Sequence, residues 1–513
     1  MVEGEVFLAE YLIQLIFVVY MIAMVASLTS YVIGEIVTVV ASIIGFLASV
    51  GVAYIVFAKG IVKPIFGGLL ILDPLCAWGL ATISIVGLVA AIYSIGYLRN
   101  ERNHVGSGKL KWYYMLFNAT MLAMGLSVVS NNIVLMWAAI EATTLATAFL
   151  VGFHETTTSV EAAWKYVIIC GVGVGFALFG TVLIYAAGVA GGIAAEEAML
   201  WSGLISNYAS LAKSGMIFLL KLGLLLVVFG YMAKAGLFPL HVWLPDAHAE
   251  APSPISAILS GVIVKCALIG ILRYYTVANA LGLHEYIANV LFVTGVVSMI
   301  IGGLCVYAQK DIKRLFAYST IDQVGVIATA AGVGTSLGIL AALMHILYHA
   351  LAKALAFLGS GLVMIFSKGK RDIDEIGGLL RARLTFTATI ITLAILGIIA
   401  IPPGPSFFSK MYLFFAAAGK SMLAAVIVLI GMLIAESALI YKMIVIVYGG
   451  TNRRTVRETY NETGLWSCKI ACILLVAMLV ILFVLVQPYI SLAEIVAKEI
   501  TLSNPYFSSL SLG

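Results

Sequence analysis

Apolar runs of about 20 residues follow one another almost from end to end of this chain, each long enough to cross a hydrocarbon core as a helix. By run length there are about fourteen, with approximate limits 6–28, 32–58, 75–98, 112–130, 132–152, 163–187, 214–236, 254–275, 286–308, 315–333, 338–366, 385–416, 421–448 and 469–490. Two of these runs are broken. The stretch Leu222 to Leu240 carries Lys234-Ala235-Gly236 just before Pro239, and the stretch Thr385 to Ala418 carries Pro402-Pro403-Gly404-Pro405 just before Lys410. A helix break and a lysine are each costly in lipid, so finding both together twice points to an ion path rather than a scaffold. The pattern predicts an all-α polytopic membrane protein.

Loop charge predicts an orientation. Arg99, Arg102, Lys109 and Lys111 follow the third run, and Lys310, Lys313 and Arg314 follow the ninth. Lys368, Lys370, Arg371, Arg381 and Arg383 follow the eleventh, and Arg453, Arg454 and Arg457 the thirteenth. The alternate loops hold only scattered cases such as Lys59, Lys63, Lys213 and Lys420. Basic loops mark the cytoplasmic side, so both termini are expected outside a cell membrane. The first run lacks a basic leader and a clear cleavage site, so it reads as a retained span.

Composition agrees and removes other classes. Of 513 residues, 63% are hydrophobic and only 10% are charged, against roughly 25% in soluble domains. The net charge of +5 comes from loop residues and gives no reason to expect nucleic acid. Cys76, Cys170, Cys266, Cys305, Cys468 and Cys472 read as small buried hydrophobes, without a disulfide framework or an iron–sulfur motif. Gly171-x-Gly173-x-Gly175 lies inside an apolar run and reads as a close-packing surface rather than a nucleotide loop. His241, Asp246, His248 and Glu250 flank Pro245 in a loop and lack any specific metal-ligand spacing. No cofactor is expected in this chain, and it is expected to do no redox or phosphoryl chemistry itself.

The candidate chemistry therefore lies in ionisable residues within the spans. Glu141 is in the fifth, Lys165 near the start of the sixth, Lys221 and Lys234 in the seventh, and Lys265 in the middle of the eighth. His345, His349 and Lys353 follow one another at i,i+4 steps in the eleventh, so they share a face at about 6 Å spacing. Lys410 follows the second break, and Glu436 and Lys442 are in the thirteenth. A charge at the bilayer centre costs roughly 3 kcal/mol or more unless paired or hydrated. A desolvated lysine exchanges its proton readily, a carboxylate partner holds that proton, and histidine relays between them. Glu141 is the expected partner of Lys234. The rival readings are purely structural ion pairs and, for Lys165, Lys221 and Lys353, snorkelling to the interface.

The segment from Lys234-Ala235-Gly236-Leu237-Phe238-Pro239-Leu240-His241 through Trp243-Leu244-Pro245-Asp246-Ala247-His248 to Pro252-Ser253-Pro254-Ile255-Ser256-Ala257 carries a resemblance. It is similar to the signature of the antiporter-like membrane subunits of respiratory complex I, Mrp-type cation/proton antiporters and energy-converting membrane-bound NiFe hydrogenases. Asp73-Pro74-Leu75, Tyr93-Ser94-Ile95-Gly96-Tyr97, Lys310 to Thr320, His345 to Leu355, and Pro402 to Lys410 agree in order. Together they cover roughly residues 70–420. Ile140-Glu141-Ala142-Thr143-Thr144-Leu145 and Ala162-Ala163-Trp164-Lys165-Tyr166 look most like the hydrogenase-4 and membrane-bound hydrogenase branch.

The resemblance implies two inverted five-helix repeats, each with a broken helix, in spans 4–8 and 9–13. The expected divisions are 1–111, 112–277, 284–448 and 449–513. It matches Glu141, Lys234, Lys265, His345, His349, Lys353 and Lys410 to proton-translocating positions, with Lys165, Lys221, Glu436 and Lys442 as further relay candidates. Because the given sequence ends soon after the fourteenth run, the long lateral helix of one complex I subunit is not expected in it. The expected function is movement of protons or sodium ions within a multisubunit hydrogenase-type respiratory complex. Other membrane subunits and peripheral redox subunits would be its partners, and those redox subunits would hold the Fe–S clusters and the NiFe centre. The alternatives are a redox-independent Mrp-type antiporter, a complex I-type dehydrogenase, and a membrane anchor whose charges only pair with neighbours.

Overall fold

A computed structural model of the chain describes residues 2–213, 215–376, 378–449 and 460–501. Arg453, Arg454 and Arg457, used above for orientation, lie outside the described residues, as does the segment 502–513. The helices that matter here are α1 (Val2–Ser27), α2 (Tyr31–Lys59), α3 (Pro74–Val105), α4 (Ser107–Val129), α5 (Ile133–Val151) and α6 (Thr157–Ala190). After three short helices within residues 195–213 come α7 (Ile217–Ala235), the short α8 (Trp243–Glu250) and α9 (Ser253–Ala280). Next are α10 (His284–Ala308), α11 (Ile312–Gly332), α12 (Ser336–Phe366), α13 (Thr385–Ile398) and α14 (Ser406–Lys420). The chain continues through α15 (Met422–Tyr448) and α16 (Trp466–Val484) to α17 (Val486–Thr501).

Among the described residues, twelve helices are long and apolar enough to cross a membrane. The two other predicted spans are also helical. The run 315–333 lies in α11, where Lys313, Asp322 and Gln323 are buried inside the bundle and lower its hydropathy. The run 385–416 divides into α13 and α14 at its proline-rich break.

Two local readings change. Residues 243–250, read as loop, form the short helix α8. Lys63–Ile65 and Leu70–Leu72, left unassigned between the second and third runs, pair as an antiparallel hairpin. Three-residue strands flanked by glycines are too brief to show a two-residue period.

Helix starts follow side-chain caps. Asp73 accepts from the Cys76 N–H with Pro74 at the first helical position, and Asn132, Asp311 and Thr335 cap α5, α11 and α12. The caps of α5 and α11 sit in the same backbone knot. Ile133 N–H donates to Met199 O and Trp201 N–H to Asn131 O; likewise Ile312 N–H donates to Arg371 O and Ile373 N–H to Lys310 O. Each knot ties the start of one helix to the segment preceding a broken one.

The charged loop residues gather through ion pairs at one end of the bundle. Arg99 pairs with Glu35, Lys109 with Glu155, Lys165 and Arg314 with Asp246, and Arg371 with Glu250. Five of the six cysteines are buried, as the sequence predicts, and Cys305 is half-buried. The glycine run in α6 packs on α7: a Cβ at Gly230 would come 2.5 Å from the Gly173 carbonyl and the Ala177 nitrogen. α12 is buried along nearly its whole length, with α9, α11, α13, α14, α16 and α17 around it.

Candidate functional site

Both breaks place a lysine at the C-terminal end of a half-helix. α7 ends at Ala235, with Gly236 in the left-handed conformation (φ 76°) and Lys234 in its last turn. α13 ends at Ile398, and Lys410 of α14 reaches back to donate to the Ile398 carbonyl at 3.0 Å. Broken helices expose carbonyls within the bundle, and the negative end of the helix dipole suits a cation there.

Around the first lysine the structure differs from the expected direct ion pair. Lys234 is fully buried and donates to the Thr144 hydroxyl at 2.8 Å and the Tyr166 hydroxyl at 2.6 Å. Thr144 in turn donates to Glu141 at 3.2 Å. Glu141 is half-buried on the rim of α5 near Gly171 of α6, while Lys234 is inside, so a hydroxyl one turn along α5 joins them. Tyr166 also shares a 2.9 Å hydrogen bond with Thr147 and packs against Trp243. Thr144, Tyr166 and Thr147 were missed as single residues because hydroxyls in apolar helices are usually satisfied by their own backbone.

The second group surrounds α11. Lys265 is buried and donates to the carbonyl of Ser260, which lies in a π-helical turn, Leu259–Ile263. Such turns often mark functional sites because they disturb the regular backbone bonding. Ser260 and Thr320 share a hydroxyl contact of 2.8 Å. Lys353 is fully buried rather than near an interface, and donates to Ser319 at 2.6 Å and the Phe316 carbonyl at 3.0 Å.

The third group continues from there. The rings of His345 and His349 stack at 5.8 Å, as their i,i+4 spacing predicts. His345 contacts Gln323 at 3.0 Å through one nitrogen and Ser409 at 2.9 Å through the other. Gln323 bonds Asp322, a buried carboxylate with one unpartnered oxygen. Lys410, next to Ser409, forms an ion pair with Glu436 at 3.1 Å. Asp322 was missed because it falls in the run with the weakest apolar signal.

The remaining candidates lie apart. Lys165 is exposed and pairs with Glu161 and Asp246 at the charged end. Lys221 is exposed on α7, and Lys442 donates to the Gln309 carbonyl at 2.5 Å. The four residues around Pro245 diverge. Asp246 and Glu250 join the ion pairs above and His241 lies against Phe238, while His248 is buried on the Phe357 ring at 5.0 Å. Among the described residues, no three His, Cys, Asp or Glu side chains are grouped to hold a metal ion.

Residues 130–435, which contain both breaks and the row from Glu141 to Lys410, match the model of the family described as NADH:quinone oxidoreductase/Mrp antiporter, TM. The chain belongs to that family. It is 35% identical over 413 residues to the hydrogenase-4 component F homolog of Methylacidiphilum infernorum, covering 80% of this chain and 84% of that protein. It is 32% identical over 434 residues to hydrogenase-4 component B of Escherichia coli, covering 81% of this chain and 62% of the relative. Two solved structures share the fold. One is the membrane-bound sulfane sulfur reductase, an archaeal respiratory membrane complex (TM-score 0.84, 24% identity, 98% and 99% of the two chains). The other is the Mrp complex of Dietzia sp. (0.83, 18%, 99% of each).

Lysine, histidine and carboxyl groups are able to exchange protons, and that is the chemistry this set of side chains makes available. Its three groups follow one another from α5 to α15. Among the described residues, side-chain hydrogen bonds join members within each group and not between groups.

Proposed function

We propose that this chain translocates protons, or sodium ions in exchange for them, as one membrane subunit of a multisubunit hydrogenase-type respiratory complex. Redox chemistry in peripheral partner subunits would drive the movement. Glu141, Lys234, Lys265, Lys353, His349, His345 and Lys410 form the path in that order, with Glu436 holding the terminal lysine. In this reading there are fourteen spans, α4–α9 and α10–α15 form two inverted repeats, and both termini face outward. The matching hydrogen-bond knots at Asn132 and Asp311 support the repeats. The ion pairs gathered among the basic loops support the orientation.

One observation carries the translocation reading. Three buried lysines, Lys234, Lys265 and Lys353, are held by hydroxyl and carbonyl oxygens rather than by carboxylates. A lysine used only as a scaffold in lipid would be locked to a counter-charge, as Arg273 is to Asp73. One held by neutral acceptors can lose its proton without stranding a buried carboxylate.

Lys234→Met tests it in the purified complex reconstituted into vesicles. The variant complex should assemble and keep its electron transfer, while ion movement falls to background. Unchanged pumping would refute the path, and loss of assembly would favour the anchor reading. Co-purification with mass spectrometry of the partners, with and without an electron donor, separates the redox-driven complex from a redox-independent antiporter. The identity to hydrogenase-4 components favours the former.

A further inference from the structure

Away from the lysine row, the opposite end of the bundle from the basic loops encloses a second set of ionisable groups. Arg273 of α9 grips Asp73, the cap of α3, with both terminal guanidinium nitrogens, and lies 4.6 Å over the Trp201 ring. Asp73 also accepts from the Cys76 N–H at 2.7 Å. This pair is matched in charge, and both side chains are buried. Into the same place α17 brings Glu499, which is 3% exposed. One of its oxygens accepts from the Leu75 N–H at 3.3 Å, and the other has no partner.

A second carboxylate beside a complete ion pair would leave a net negative charge in an apolar enclosure. Burial, and then the neighbouring Asp73, hold the Glu499 carboxyl above the usual carboxylate range. The titratable groups facing it are Asp73 and Cys76 from α3 and Arg273 from α9. Glu494 and Lys498, on its own helix, are on the exposed side.

The same helix reaches the lysine row. The Tyr489 hydroxyl donates to the Met344 carbonyl at 2.9 Å, one residue before His345. Its ring packs on Tyr348 at 4.8 Å and Trp78 at 5.2 Å. The Tyr348 hydroxyl, the Trp78 indole N–H and both ring nitrogens of His349 are buried and unpartnered. Ten residues of helix, about 15 Å, separate Tyr489 from Glu499. Unpartnered polar atoms therefore border α17 at both ends, as groups do that take part in a hydrated path.

We propose that Glu499 is the outer proton-release group of this subunit, receiving protons from the histidine turn of α12 along α17. The inference rests on the translocation reading above. On release, the Glu499 acid becomes a carboxylate and its proton passes to outer water, with Arg273 the one positive charge facing both carboxylates; the net charge of −1 that results favours rapid reprotonation. The next proton from the row restores the acid.

The test uses the whole complex in vesicles, with proton release followed by an external pH dye. Glu499→Gln keeps the shape and neutrality of the acid but cannot give up a proton. Release should fall tenfold or more with the complex intact, and Glu499→Asp should recover part of it. If Lys234→Met stops translocation while Glu499→Gln runs at the wild-type rate, this proposal fails and the path stands. If Lys234→Met is itself silent, the path fails first. Loss of assembly in Glu499→Gln without recovery in Glu499→Asp would make Glu499 a latch for α17 and overturn the release role.

Discussion

Thr144→Val isolates the hydroxyl between Glu141 and Lys234. Valine has nearly the same shape, so the helix contacts of α5 should survive, and only the donor and acceptor functions are lost. Lys234 then keeps a single hydroxyl partner, Tyr166, and Glu141 loses the donor at 3.2 Å. A hydrogen bond to a charged group is worth about 1.5–3 kcal/mol. Through the hydroxyl the two charges are about 6 Å apart, where an effective dielectric constant of about 20 gives an attraction of roughly 3 kcal/mol. The valine leaves that attraction in place but removes the group that transmits it by moving a proton. If one such bond is used in the rate-limiting transfer, translocation should slow about 10- to 100-fold. The assay is dye-monitored proton movement in vesicles holding the reconstituted complex, with electron transfer measured in parallel. Thr144→Ser, which restores the hydroxyl, should recover most of the rate. The reasoning is refuted if the valine variant pumps normally, or if serine and valine are equally impaired.

Two further substitutions probe packing and charge. Glu436→Gln leaves Lys410, 2% exposed, without its counter-charge and should destabilise the protein by about 3–5 kcal/mol in a detergent unfolding assay. Adding Lys410→Met should return most of that stability while translocation stays lost; a double variant no more stable than the single one would contradict the pairing. Gly230→Val drives a side chain into the backbone of α6 and should cost at least about 1–3 kcal/mol. It should also displace Lys234 one turn away, and a normal melting temperature with normal pumping would show that the α6–α7 contact is not needed.

Hydrophobic run length alone determined the helical membrane character, and twelve of the fourteen predicted runs correspond to single continuous helices; the run 385–416 breaks at its prolines, and the run 469–490 divides at Leu485 between α16 and α17. Burial in lipid demands long apolar stretches, so the constraint is written locally in the chain. The same local logic located the two breaks, since proline and glycine act on their own backbone, and it picked out the lysines and histidines because charge in such stretches is conspicuous. Partnership was a different matter. That Lys234 meets Thr144 and Tyr166 rather than Glu141 directly depends on how α5, α6 and α7 rotate against one another. Small glycine contacts set that rotation, and no residue type announces it. Lys353 looked like an interfacial lysine by position, yet it is fully enclosed because α12 is surrounded by other helices. Asp322 and Glu499 escaped notice for the converse reason. Each stands where the chain is locally polar, and only tertiary packing takes them out of water.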